Sequence, residues 1–407
     1  MLNELFAIQQ RIISSVKTDF KRFLFKSINW DNPLIAIVGA RGTGKTTLVL
    51  QHFLEKYNSI EKCLYISADN PLVLKNGLYD TINDYFKKYG ECVIIDEVHK
   101  HPDWSIDIKA LHDSYPVKKI IISGSSALNI LGEKGDLSRR IIVYKLPCMS
   151  FREYLNFKFN INLSPISIEE LLKNPLTHSH IAMDNISHVL GEFNNYLRYG
   201  SYPFFKNYNY DEYVSILSNI LDKVVYEDIP AVSKIISSSS LKLKKLIGYI
   251  ALSTVPVFNI ENLTREIEIS RDTLYDFFNL LQRAEILNIV KTRSKNVKVM
   301  KNSKILFKSP NYYHAIAGEF WKHPLEPGNT REAFFAGSIP ENYLLYTSRM
   351  VDFEILLPGP KVIEIEVGGK TKSKKQIGNT NNGFIFKDNI ETGNDREIPL
   401  YLAGFLY

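Results

Sequence analysis

The chain has 407 residues, a formal net charge of +6, 45% hydrophobic and 23% charged residues. That length is too great for one ordinary core and calls for about two to four domains, and the composition is that of a soluble globular protein. No stretch approaches the roughly 18 apolar residues of a membrane span. The start, MLNELFAIQQ, has neither the basic opening nor the apolar run of a secretory signal, and three cysteines (Cys63, Cys92, Cys148) without CxxC spacing read as reduced core residues of a cytoplasmic protein.

In chain order, residues 1–30 read as a leading helix. From 33 to about 146, short apolar strands (PLIAIVG, KCLYISA, CVIIDE, KKIIISG, RRIIVYKL) alternate with helices. Strands apolar on both faces predict a parallel sheet covered on two sides. Residues 147–235 read as helical and rich in aromatics, and 236–290 as several short helices. A basic hairpin is expected over 291–308, and the tail from 330 reads as a helix followed by strands.

GARGTGKT, Gly39 to Thr46, fits G-x-x-x-x-G-K-[ST] between a strand and a helix. The backbone of Gly39, Ala40, Arg41, Gly42, Thr43 and Gly44, continuing into Lys45, Thr46 and Thr47, is expected to cradle the phosphates of ATP. Lys45 is expected to reach the β- and γ-phosphates and Thr46 to ligate Mg2+. The strand CVIIDE ends in Asp96, the second Mg2+ residue, and Glu97, expected to polarise the attacking water. A hydroxyl after IIISGSS, Ser123 or with slight preference Ser125, is expected to sense the γ-phosphate. Arg139 and Arg140 are either a finger for a neighbouring subunit's nucleotide, which implies a homo-oligomer, or a solvated pair.

This order of motifs resembles the AAA+ ATPases. More narrowly, GARGTGKTTL, IIDEVHKHPDW, SGSSA, RRIIVYKLPCMSFREYL, YLRYGSYP, VVYEDIP and RMVDFEILLPGPKVIEIEV resemble a family of archaeal and bacterial AAA+ proteins. The resemblance implies an α/β protein: a P-loop AAA+ parallel-sheet domain (1–150), a helical lid (151–235), a winged helix (236–310) and a small restriction-endonuclease-like α/β domain (311–407).

In the expected winged helix, a helix over about 260–267 precedes Ser270, a natural N-cap, and an apolar stripe of Leu274, Phe277, Phe278 and Leu281 marks the next helix. The hairpin carries Lys291, Arg293, Lys295, Lys298, Lys301, Lys304 and Lys308 with no acidic residue between. Such a cluster suits DNA or another nucleic acid contacted through its phosphates. Arg271, Asp272 and Tyr275 are the candidates to face a groove.

The tail resembles the PD-(D/E)XK nucleases: Glu332 on a helix, Asp352 on one strand and Glu366 on the next, with Asp352 and Glu366 as a second metal site. The lysine slot two residues after Glu366 is Gly368, and Lys370 is the lysine left to fill it. Cleavage is therefore not expected. The function read from the sequence is an ATP-hydrolysing switch or motor on nucleic acid. The alternatives are a regulatory ATPase whose tail binds a protein, and an ATP-gated nuclease.

Overall fold

A computed structural model describes residues 1–124, 137, 139–233, 237–293, 302–320, 325–359, 361–372 and 382–407. Ser125, Lys295, Lys298 and Lys301, singled out above, lie outside the described residues. The chain divides into two compact units, Met1–Cys148 and Met149–Tyr407.

In the first unit, β1 (Leu34–Val38), β2 (Cys63–Ser67), β3 (Cys92–Asp96), β4 (Lys119–Gly124) and β5 (Ile142–Lys145) form a parallel sheet in the order β2-β3-β4-β1-β5. Alternate residues of each strand feed opposite cores, as the pleat dictates. Leu34, Ala36, Val38, Ile66 and Ile95 pack toward α1 (Leu2–Ser14), α5 (Leu78–Lys88) and α6 (Trp104–Ser114), with α4 (Pro71–Asn76) leading into α5. Ile35, Ile37, Tyr65 and Ile94 pack toward α2 (Leu24–Ser27) and α3 (Lys45–Lys56). Burial on both faces is why these strands read as continuous apolar runs rather than alternating ones.

The expected helix over 1–30 is broken. Gln51 of α3 donates to the carbonyls of Lys17 (2.9 Å) and Phe20 (2.7 Å), so this stretch spends backbone acceptors on a side chain instead of a helical ladder. β4 lies between β1 and β3, which brings the carboxyl ends of all three side by side. Open parallel sheets form ligand crevices at such a place.

The second unit begins with the helices Phe151–Phe159, Ile168–Lys173, Pro175–Asn185, Val189–Tyr199 and Tyr210–Lys223, then a π-turn at Val224–Asp228. Ser150 with Glu153 and Asn209 with Glu212 close capping boxes at two of them. Three helices follow (Ser237–Leu252, Ile260–Ile267, Arg271–Arg283), the last capped by Ser270, which accepts from the Thr273 amide. The hairpin pairs β6 (Leu287–Val290) with β7 (Lys304–Phe307). Its first strand thus starts before the basic stretch, where Leu287, Ile289 and Val290 supply a buried face.

After the helices Asn311–Phe320 and Pro327–Ser338 comes a mixed sheet, β12-β11-β10-β9-β8, made of β8 (Leu344–Tyr346), β9 (Phe353–Leu356), β10 (Val362–Gly368), β11 (Gly383–Lys387) and β12 (Glu397–Pro399). One aromatic core joins stretches that the sequence assigned to different domains. Phe151 meets Phe193 at 5.3 Å and Tyr401 at 6.3 Å, and Phe193 meets Phe334 at 4.8 Å. Ser150 Oγ and Arg152 Nε both donate to the Tyr407 carbonyl, at 2.9 and 3.0 Å. A buried Asn311 ties helices together, donating to the carbonyls of Tyr196 (2.9 Å) and Leu197 (2.8 Å) and accepting from Tyr213 Oη (2.6 Å). Among the described residues no helix is long and apolar enough to cross a membrane.

Candidate nucleotide site

The glycine loop runs from the end of β1 into α3. Gly42 and Gly44 have φ of 81° and 93°, a left-handed backbone that favours glycine. At Gly39 a Cβ would stand 2.3 Å from the Leu146 carbonyl oxygen. Thr43 is fully buried and its Oγ1 donates to the Ala40 carbonyl at 2.9 Å, closing the loop on itself. Arg41 is half-buried beside it, and Thr47 is exposed on the first turn of α3.

Lys45 is the first residue of α3, and its ammonium donates to the carbonyls of Gly39 (3.0 Å) and Ala40 (2.8 Å). It lies inside the concavity that the phosphates are expected to fill. Thr46 Oγ1 donates to Asp96 Oδ2 at 2.5 Å. Asp96 Oδ1 accepts from Ser123 Oγ at 2.6 Å and from the Glu97 amide at 3.0 Å. The hydroxyl and carboxylate expected to hold Mg2+ are thus already aimed at one another, and Ser123 of β4 braces the carboxylate from the far side. Loop conformation, ammonium and oxygen donors fit a Mg2+-nucleotide.

Glu97 follows with φ 49°, a strained conformation of the kind that clusters at functional sites. Its Oε2 lies 3.4 Å from Nε2 of the buried His99. Arg140 forms a two-point pair with Asp113 of α6, Nε to Oδ1 at 3.0 Å and Nη2 to Oδ2 at 3.2 Å, whereas Arg139 is exposed.

Two residues here carried no sequence signal. Tyr65 of β2 donates to Asp96 Oδ2 at 3.2 Å, and burial, with the Asp96 charge, pushes its phenol well above the usual range. It sits within an apolar strand that gives no hint of the contact. Arg22 is buried and donates to the carbonyls of Thr43 (2.5 Å) and Pro147 (2.8 Å), clamping the loop from behind.

In the second unit Glu332, Asp352 and Glu366 are brought together, with two lysines among them. The expected Lys370 is exposed. Lys372 takes that position instead: its chain folds over Gly368, where a Cβ would meet Lys372 Cδ at 2.7 Å. Lys304, counted above with the phosphate-facing charges, points inward. Lys291 and Arg293 are exposed, and Arg271 stacks on Tyr275, its Nε donating to Tyr275 Oη at 3.0 Å.

The family model of an AAA domain matches residues 31–155, and that of a domain of unknown function (DUF8612) matches residues 190–320. Uncharacterized protein MJ1637 of Methanocaldococcus jannaschii is 28% identical over 409 residues, covering 92% of this chain and 84% of that protein. Similar solved structures include AMPPCP-bound DnaA from Aquifex aeolicus, at 14% identity over 69% of this chain and 88% of that one, with a TM-score of 0.28. The Hsp104-ADP complex of S. cerevisiae is similar at 13% identity over 68% of this chain and 41% of that one, with a TM-score of 0.29. The sequence match to an AAA domain spans both the glycine loop and the Asp96–Glu97 strand end, so residues 31–155 of this chain are similar to an AAA domain over the stretch that builds the site.

Proposed function

We propose that the protein binds ATP with Mg2+ and hydrolyses it, as an AAA+ switch or motor acting on nucleic acid. The observation that carries the reading is the convergence of Lys45, Thr46, Asp96, Glu97 and Ser123 at the adjoining carboxyl ends of β1, β3 and β4. Mg2+-ATP supplies a γ-phosphoryl group whose charge is partly neutralised by the metal. Lys45 exchanges the carbonyls of Gly39 and Ala40 for phosphate oxygens. Thr46 and Asp96 orient the metal's ligand shell, with Ser123 and Tyr65 holding Asp96. Glu97 accepts the proton of the attacking water, and Arg139 reaches the nucleotide of a neighbouring copy. Ser123, hydrogen-bonded inside the site, takes the sensing role for which the sequence slightly favours Ser125.

The nucleic-acid part rests on the helices Ile260–Ile267 and Arg271–Arg283 followed by the β6–β7 hairpin, the order of a winged helix. Exposed Lys291 and Arg293 continue from it, with the Arg271–Tyr275 pair beside the N-cap. ATPase rates with and without single- and double-stranded DNA, at two salt concentrations, test this part. Stimulation that fades with salt supports it, and a rate indifferent to both DNAs discards it.

A second reading, a regulatory ATPase that captures a protein partner, is favoured by the π-turn. It leaves Tyr226 44% and nearby Val232 37% exposed, and π-turns recur at functional sites. Partner capture lost in Tyr226→Ala, with ATPase activity intact, would select it.

A further inference from the structure

Three carboxylates of the second unit make the donor set of a hard divalent cation: Glu332 on the helix Pro327–Ser338, Glu366 on β10, and Asp352, expected on a strand but placed in the bend just before β9. The chain's own ammonium groups already stand among them. Lys304, at the start of β7, lies 2.7 Å from Glu332 Oε2 and 2.8 Å from Asp352 Oδ1, with 9% of its side chain exposed. Its Nζ also sits 4.7 Å from the centre of the Phe353 ring. Lys372 lies 2.7 Å from Glu366 Oε2, an ion pair without hydrogen-bond geometry, and 3.8 Å from Asp352 Oδ2. The Val367 amide donates to Asp352 Oδ2 at 2.9 Å.

Both oxygens of Asp352 are therefore in use, and one oxygen of Glu332 faces an ammonium. A metal needs its oxygens at roughly 2.0–2.6 Å. To reach them it must displace Lys304 and tolerate Lys372 beside it, and like charges in a poorly solvated site repel strongly. Among the described residues no group of three or more His, Cys, Asp or Glu is arranged to hold a metal ion. The residues therefore do not fit a metal in the arrangement the chain adopts.

We infer that this cluster is a cation site filled by the protein itself. Lys304 is its resident cation, standing where a divalent ion would and fastening the β6–β7 sheet to the helix Pro327–Ser338 and to β9, as a structural metal would. Metal-dependent chemistry at these carboxylates requires Lys304 to leave. The inference is independent of the nucleotide-site reading.

The test is a Mn2+ titration of the nucleotide-free full chain, followed by the electron paramagnetic resonance signal of free Mn2+. Wild type and Asp352→Asn are expected to take up Mn2+ identically. Lys304→Met is expected to gain one further Mn2+ per chain, at least tenfold tighter than any wild-type uptake at the cluster, and Lys304→Met/Asp352→Asn to lose it again. If Lys304→Met is recovered unfolded, Mn2+ is expected to restore its fold, since the ion then replaces the missing charge. The inference is overturned by wild-type uptake that Asp352→Asn abolishes. It is equally overturned by a Lys304→Met protein that neither binds Mn2+ when folded nor refolds with it.

Discussion

Thr46 and Asp96, on α3 and β3, are hydrogen-bonded side chain to side chain at 2.5 Å across the crevice of the first unit. The contact fixes the metal-facing carboxylate to the helix that begins at the phosphate loop, so Lys45 and Glu97 sit at opposite ends of one braced arrangement.

Lys45→Ala should lose tight ATP binding. Glu97→Gln should keep ATP and hydrolyse it slower by about 10²–10⁴, the usual worth of a general base. Nucleotide binding by fluorescence and single-turnover hydrolysis separate the two. Unimpaired turnover by Glu97→Gln would remove Glu97 from the role.

The two arginines should behave differently. Arg140 is engaged with Asp113, so Arg140→Ala should cost about 0.2–1 kcal/mol of stability, as for other exposed pairs, and leave hydrolysis nearly intact. If Arg139 acts in trans, Arg139→Ala should slow hydrolysis by about 10³–10⁵. Mixing Arg139→Ala with Glu97→Gln chains should then recover part of the rate. A large loss in Arg140→Ala with none in Arg139→Ala would reverse the assignment.

For nucleic acid, Lys291→Ala/Arg293→Ala should weaken binding alike on all sequences. On duplex DNA the slope of log affinity against log salt should fall by roughly 0.9 for each phosphate that is no longer neutralised. A Lys304→Ala protein that remains folded should show an unchanged slope, because that ammonium is held by Glu332 and Asp352. A slope that moves with Lys304 alone would place the DNA-binding surface elsewhere.

Burial, with the neighbouring Asp352 charge, pushes the Glu366 carboxyl up to about 7. Between its ordinary value of 4.5 and 7 the folded chain holds a proton that the unfolded chain has released. Stability should therefore fall as pH rises through that window and level off above it. The drop for this group is at most about 3 kcal/mol. Glu332, also held above its usual range by burial, adds a smaller slope of the same sign. Glu366→Gln, locked in the neutral form, should flatten most of the trend between pH 5 and 8 and be the more stable protein at pH 8. Denaturant midpoints of the second unit's transition check this, and identical pH profiles for the two proteins would rule it out.

The glycine loop, the strand end Asp96–Glu97 and the N-cap at Ser270 are legible in the sequence because each depends on close neighbours. A loop closes within eight residues, and a cap bonds three residues ahead. What escapes depends on distant backbone. Arg22 reaches Pro147, and Tyr65 reaches Asp96 from the next strand, through an apolar pattern that conceals its hydroxyl. Lys372 escapes because strand alternation, carried past Gly368, points to Lys370. The chain instead turns there, the Lys372 amide donating to the Gly369 carbonyl at 3.0 Å, and folds the lysine back. Lys304 reads with its basic neighbours as solvated, since nothing local marks the carboxylates it meets. The interior shared by the stretches 151–235 and 311–407 escapes for the same reason: Phe151, Phe193, Phe334 and Tyr401 are far apart in sequence.

The bond from Ser150 to the Tyr407 carbonyl joins residues 257 positions apart. During synthesis at about 5–20 residues per second, the helix Phe151–Phe159 therefore waits roughly 13–50 s for the segment that covers it. The first unit draws its strands and helices from a contiguous run of chain and can close while the rest is still being made. The second must keep Phe151, fully buried at the end and packed on Tyr401 and Phe405, out of contact with other nascent chains for that interval. Its yield in the cell should therefore respond to chaperone supply and to translation speed, and the yield of the first unit expressed alone should not.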